Sequence, residues 1–513
     1  MSLRGIAVGL ALLAGLAQAS PSAAQSIARH LDMLRLGERA VASAGAVFQS
    51  QGAACPRQLP DMRLILADRR FDRLKPETRR LFLFAVLMCA ETGDSPLALE
   101  AARRLEPLAV EDSEIAAVHT TRIADALARG AHAEATRRFI DLARSRPAIV
   151  AGWDPELVGA FTGYLDEDPD LGLEALRTIA GLAWTNPASA RAARNEWALA
   201  LGWQLADRGH AAEAAQAVEQ ADSLYVLLIV AGDRRFADLW ERFAAAGRFD
   251  FAALARAELA RARAAIADNP TRLRPAVEAV SALRALGQHP QAIDLGQAFR
   301  ARLQDGETFD DAGLQADELL GQLAQALFET GRTAEAEAVF REAIGETDAP
   351  RPSVEARMAL AGRLLDLDRP GEVAPLLDAV DPAAMTPFGR LWLTSLRACA
   401  QAGLDPRGAA ASLDILRAGE DENPAALGQA LLCNDRVDEA AALLVRRLNA
   451  PKHRAGALDP FWVTRPPPAV PPWLARFEAR RQAMLNRPEV RAALARVGRP
   501  VEASLSGDYW GGY

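Results

Sequence analysis

Residues 323–344 read LAQALFETGRTAEAEAVFREAI. Leu323, Ala324 and Leu327 recur at helical spacing and lay an apolar stripe along one face; Ala336, Phe340 and Ala343 lay a second stripe beyond Gly331. Two amphipathic helices meeting at a glycine make a hairpin, because glycine readily takes the left-handed conformation that ends a helix. The pattern recurs in Leu199–Val218, LALGWQLADRGHAAEAAQAV, where Leu201, Gly202, Leu205 and Ala214 hold the corresponding places. Extended along the chain, the register puts turn markers at Gly93, Gly130, Asp170, Gly209, Gly247, Gly287, Gly331, Arg369, Gly403 and Asp435. The intervals are 37, 40, 39, 38, 40, 44, 38, 34 and 32 residues. Five residues after the markers stand Ala98, Ala135, Ala175, Ala214, Ala252, Ala292, Ala336, Ala374, Gly408 and Ala440. A small residue there lets the second helix of each hairpin approach the first closely. Proline falls mostly between hairpins, as at Pro147, Pro187, Pro270, Pro350 and Pro424, where it bounds helices without breaking them.

The composition agrees with a helical chain. Of 513 residues 110 are alanine, aromatics make up 6%, and β-branched runs are scarce. One hairpin cannot bury its own apolar face, so neighbours must stack into a continuous core. The 323–344 stretch resembles the tetratricopeptide repeat, with Leu323, Ala324, Leu327, Ala336, Phe340 and Ala343 at the signature positions. The intervals are mostly longer than the ~34 residues of that repeat. The expected fold is all-α, a right-handed α–α superhelical solenoid of about ten helix-turn-helix hairpins. The resemblance implies a concave groove lined by the first helix of each hairpin. Its groove positions transfer to Glu318, Gln325, Phe328 and Glu329 in the best repeat and to Glu196, Trp203 and Asp207 in the repeat at Gly209. It implies docking of a peptide or helix, with aromatic anchors and with acids selecting basic partners.

The ends bound the compartment and the domains. Residues 1–24 carry Arg4, an apolar run from Ile6 to Ala17, and small residues suited to cleavage after Ala19 or Ala24, which together read as a signal peptide. No later stretch suits a membrane span, so the expected mature protein is soluble and periplasmic, with no membrane insertion after cleavage. In that oxidising compartment Cys55 and Cys89, 34 residues apart, and Cys399 and Cys433, also 34 apart, become candidate disulfides, with buried free cysteines the other possibility. The expected divisions are an N-terminal capping helix and cysteine-bearing loop over 25–75 and the solenoid over 76–450. A stiff Pro-rich linker follows over 451–472, then short C-terminal helices with an aromatic tail over 473–513.

Chemistry is sparse by comparison. Net charge is -8, and of the 59 basic residues only Lys75 and Lys452 are lysines; arginines scattered among acids at helical spacing do not make a nucleic-acid surface. Phosphate-loop, dinucleotide, nucleophile-elbow and zinc-protease motifs are missing, and the six histidines lack ligand spacing. No cofactor or metal is expected, and the residues after the array are too few for a lysozyme-like catalytic domain. The expectation is a non-enzymatic scaffold for another envelope protein or peptide. The alternative is an accessory subunit of envelope polysaccharide or peptidoglycan processing, with Trp153, Trp184, Trp197, Trp203, Trp240 and Trp392 available to stack on glycan.

Overall fold

A computed structural model describes residues 21–50, 53–90, 95–159, 161, 168–345 and 353–506. The leader predicted over 1–24 lies outside them up to residue 20, as do the turn marker Gly93, Pro350 and the tail aromatics Tyr509, Trp510 and Tyr513. Two compact units divide the chain, Met1–Ala193 and Arg194–Tyr513, so a boundary falls inside the stretch read as one uninterrupted array.

Both units are built of stacked α-helical hairpins. The recurring turn has one geometry. Gly130, Gly209, Gly247, Gly287 and Gly331 all have φ between 69° and 83°, and the next residue donates its N–H to the carbonyl five residues back, as Arg332 does to Leu327 at 2.9 Å. Asp435 and Asp368 take the same conformation at φ 58° and 61°, since a short polar side chain tolerates the left-handed region. The predicted register therefore needs three corrections. Asp368, not Arg369, makes its turn, Asp170 sits inside helix Pro169–Ala180, and Gly403 is not left-handed.

The small-residue position shows the same register. Ala98, Ala135, Ala175, Ala214, Ala292, Ala336 and Ala440 are all buried, at 4% exposure or less. Where the marker was misplaced the buried residue moves with it, to Val373 beside exposed Ala374 and to Ala409 beside half-buried Gly408. Ala252 is half-buried, and Phe251 and Ala255 hold the core there. Hairpins open on polar caps followed by proline: the Asn423 side chain accepts from Ala426 N ahead of Pro424, and Thr386 accepts from Gly389 N ahead of Pro387.

In the first unit, helices Pro21–Gln49, Cys55–Ala67, Pro76–Ala90 and Ser95–Leu105 share a core centred on Met62, Ile65, Phe71, Phe82 and Val86. The cysteine-bearing part of the 25–75 cap, expected as a loop, is instead helical from Cys55 onward, with Pro60 inside the helix. Cys55 and Cys89 are disulfide-bonded, with Cα atoms 5.0 Å apart.

In the second unit, first helices Arg274–Ala285, Ala312–Glu329, Val354–Asp366, Pro387–Gln401 and Pro424–Cys433 alternate with second helices that carry the alanine contacts. Cys399 and Cys433, also disulfide-bonded, join the ends of two such first helices. Residues 451–472, predicted as an extended linker, open with helix Pro451–Leu458 and a strand, β1 (Trp462–Arg465), before the proline run. Helices Pro472–Leu485 and Pro488–Val497 follow as predicted, and a second strand, β2 (Val501–Ser506), pairs parallel to β1 with Trp462 opposite Val501. These strands escaped the sequence reading because each is short and their pairing spans more than thirty residues.

The second disulfide closes a loop with a sequence separation of 34 residues. Replacing Cys433 by serine should cost about 3–4 kcal/mol by loop-closure entropy, read as a lowered urea midpoint. Reduction of the wild-type chain opens Cys55–Cys89 as well and should lower the midpoint at least as far.

Candidate functional site: a cavity under the returning C-terminal segment

A helix end leaves carbonyls without an i to i+4 partner, whether a left-handed turn follows, as after Glu329 and Cys433, or an extended residue, as after Gly232. In the second unit, donors from residues 454–506 meet several of them. Ala469 N donates to Glu329 O at 3.0 Å; the Arg480 guanidinium donates to Leu432 O and Cys433 O at 3.2 and 3.0 Å. Arg499 donates its backbone N–H to Gly232 O at 2.9 Å and its Nε to Ala231 O at 2.8 Å. Cationic guanidinium groups also suit the negative end of a helix dipole. The turn aspartates add ion pairs, Arg476 with Asp368 and Arg480 with Asp435, both at 3.0 Å.

Gly498 is set by this approach. A Cβ there would lie 2.4 Å from the Gly232 carbonyl oxygen and 2.8 Å from Leu458. The segment is also part of the core: Leu458, Val490, Leu494, Val501 and Leu505 are buried in the clusters of the helices they cross. Each such side chain contributes roughly 1.5–3 kcal/mol, against about 1 kcal/mol for one hydrogen bond, so apolar burial holds the segment and the hydrogen bonds fix its register.

Between the segment and the helices lies a cavity of about 980 Å³. Its walls are Phe328 and Gln325 from helix Ala312–Glu329, Trp240, all of β1, and residues of the two C-terminal helices such as Leu474 and Leu494. Arginines outnumber acids around it. Glu329 and Glu478 face Arg234, Arg363, Arg465, Arg481, Arg491 and Arg499.

Both acids are already engaged. Glu329, 4% exposed, takes Arg284 Nη2 at 2.6 Å and Nε at 3.2 Å, and Gln325 at 3.2 Å, with His289 Nδ1 at 3.3 Å. Burial pushes its carboxyl upward, but His289, Arg284 and Gln325 outweigh it and hold the group at about 2. Glu478 takes Arg481 Nε and Nη2 at 2.6 and 2.7 Å. Arg363 pairs with Asp366 at 2.9 Å and lies over the Phe328 ring. Asp459, next in sequence to the lining residue Pro460, is pushed up to about 6 by burial, which Arg447 opposes.

The residues nominated from sequence divide accordingly. Gln325, Phe328 and Glu329 border the cavity. Phe328, 4% exposed, is chiefly core, and Glu329 joins the first helices of two hairpins through Arg284. Glu318 lies on an exposed turn of the same helix and accepts from Gln322. In the other repeat, Trp203 donates to Asp233 at 3.2 Å beneath the Arg235 guanidinium, and Asp207 pairs with Arg235 at 3.0 Å and with Arg454 at 3.7 Å. Glu196 is exposed at the start of its helix. None of these three borders the cavity.

Of the six tryptophans weighed for glycan stacking, Trp240 alone lines it, with Arg499 over its ring at 3.9 Å. Trp153 packs on Phe139 and Phe161, and Trp197 is buried at 6% exposure. Sequence reasoning missed β1, Arg465, Arg491 and Arg499. The available signal was the arginine density of 476–499, where a helix facing only solvent would alternate its charges with acids.

Glu329→Gln should destabilise the second unit by about 3–5 kcal/mol at pH 7, because it leaves Arg284 buried without its counter-charge. A depressed carboxyl contributes stability above its unfolded value and loses it as pH falls through the folded one. The gap between variant and wild type, measured by urea denaturation, should therefore be full above pH 4.5 and close as pH falls toward about 2.

No protein-family model matches the sequence, and comparison with curated proteins gives no match. Among solved structures, the chain is similar to a circular tandem repeat protein with novel repeat topology and enhanced subunit contact surfaces. That match has 12% identity, covers 90% of this chain and 97% of the other, and has a TM-score of 0.13. A likeness at that level carries no argument; the chain is an all-α helical-repeat protein on the strength of its own hairpins.

Proposed function

We propose that the chain is an exported, tetratricopeptide-like scaffold of the periplasm that docks a partner peptide or subunit without catalysing a reaction. The supporting observation is the cavity of about 980 Å³, preformed on the first-helix side of the repeats. Its size is at the upper end of the range of specific binding pockets. Rigid elements build it, helix Ala312–Glu329 on one side and β1 with the C-terminal helices on the other, so little ordering entropy is spent when a ligand enters.

The groove of the family comparison is thereby narrowed to one chamber, and the electrostatic expectation reverses. Glu329 and Asp207, nominated to select a basic partner, are consumed in ion pairs with Arg284 and Arg235. The charges left at the chamber are guanidinium groups, which select an acidic partner. A glycan would need several open indole faces, whereas of the two tryptophans at the chamber Trp240 carries Arg499 over its ring and Trp462 is 9% exposed.

Site-specific photo-crosslinking in the native host tests this. A benzoyl-phenylalanine replacing Val463, which is 46% exposed at the cavity, should give a discrete adduct in the periplasmic fraction; the same residue replacing Leu404, 61% exposed and outside the cavity, should not. Equal adducts at both positions, none at Val463, or retention of the chain in the cytoplasm would overturn the reading.

A further inference from the structure

β1 has a second edge. Its partner β2 takes one side, yet Trp462, Val463, Thr464 and Arg465 all border the cavity. The sheet has two strands, so β1 keeps one unpaired edge, and with a register shift between Val463 and Arg465 all four of its residues border the cavity. Among the described residues, Val463, Thr464 and Arg465 make no backbone hydrogen bond beyond the β2 pairing. Pro466, Pro467 and Pro468 follow and cannot donate, which limits the edge to a short docking length.

The charges around that edge are of one sign. Among the described residues Arg234, Arg465, Arg491 and Arg499 have no carboxylate partner; Arg491 donates to Asn486 at 2.8 Å, and Arg499 to Ala231 O. Glu329 and Glu478, the acids of the lining, are neutralised by Arg284 and Arg481. Between the arginines the wall is apolar, with Phe328, Leu474 and the half-exposed Val463. An unpaired strand edge calls for backbone partners, and four uncompensated guanidinium groups call for carboxylates.

Resting on the scaffold reading above, we infer that the cavity captures an extended acidic peptide, in which carboxylate and apolar side chains alternate, as a third strand on the free edge of β1. Its backbone completes the β1 ladder. One row of side chains meets Arg465, Arg491, Arg234 and Arg499, and the other packs against the Phe328 and Leu474 wall.

The test is fluorescence anisotropy with the full chain and a labelled synthetic nonapeptide alternating glutamate with valine. The expected result is saturable binding that weakens with added salt. The lysine-for-glutamate peptide should not bind, and the acidic peptide N-methylated on its backbone nitrogens should not either. Arg465→Glu combined with Arg491→Glu should weaken binding about tenfold or more. Both arginines are exposed, so the variant is expected to keep the wild-type circular dichroism spectrum.

If the acidic peptide fails to bind while the Val463 crosslink forms, the scaffold reading stands and the acidic-strand inference falls; if the crosslink also fails, both fall. Binding of the lysine peptide, or unchanged binding after N-methylation, overturns the inference. Saturable binding of oligogalacturonate, with none of the peptide, overturns it in favour of an anionic glycan.

Discussion

The seating of the returning C-terminal segment is the constraint on which the second unit depends: apolar burial holds it, and open carbonyls at helix ends fix its register. A repeat turn built on a left-handed glycine or aspartate is compact and lets hairpins stack, but it leaves helix-end oxygens with one intrahelical bond fewer. In the second unit part of that requirement is met by the chain's own C-terminal portion, through Ala469, Arg480 and Arg499. Without those donors, the Ala231, Gly232, Glu329 and Cys433 carbonyls would rely on water. With them, some fifty residues beyond the array become part of its core.

This changes what a helical-repeat groove means here. A returning segment held by buried Val490, Leu494, Val501 and Leu505 is a permanent wall. It converts an open first-helix face into a bounded chamber. It also sets the sign of the chamber: the segment supplies Arg465, Arg491 and Arg499, whereas Glu329, the repeat acid that borders it, is spent in a structural pair with Arg284. Glu329 shows the economy of the arrangement. Its side chain ties two hairpins together, and its carbonyl anchors the proline-rich stretch.

The hairpin register was legible from sequence because glycine conformation and close packing both leave marks at fixed spacing, Gly331 and Ala336 being the clearest. It slipped by one where aspartate substituted for glycine at Asp368, since the left-handed requirement then has no unique residue. The cysteine spacing made Cys399 and Cys433 a candidate pair, and the two are bonded near the ends of successive first helices. The candidate site was legible only in part. Positions such as Gln325 and Phe328 follow from helical periodicity, but their fate depends on what crosses them, and a long-range return of four- and six-residue strands has no periodic signature. A charge cannot be assigned to a groove until its partners are known: Glu329, nominated as a groove contact, borders the cavity and is paired with Arg284.

Hydrogen exchange on the full chain, followed by mass spectrometry, addresses the central claim directly. If the stretches around residues 469 and 499 are built into the second unit through the helix-end carbonyls, the amides of Ala469 and Arg499 should exchange as slowly as those of helix Ala312–Glu329 and lose protection together with it in rising denaturant. Exchange of these two amides at the rate of an unprotected chain, while the helix stays protected, would contradict the account.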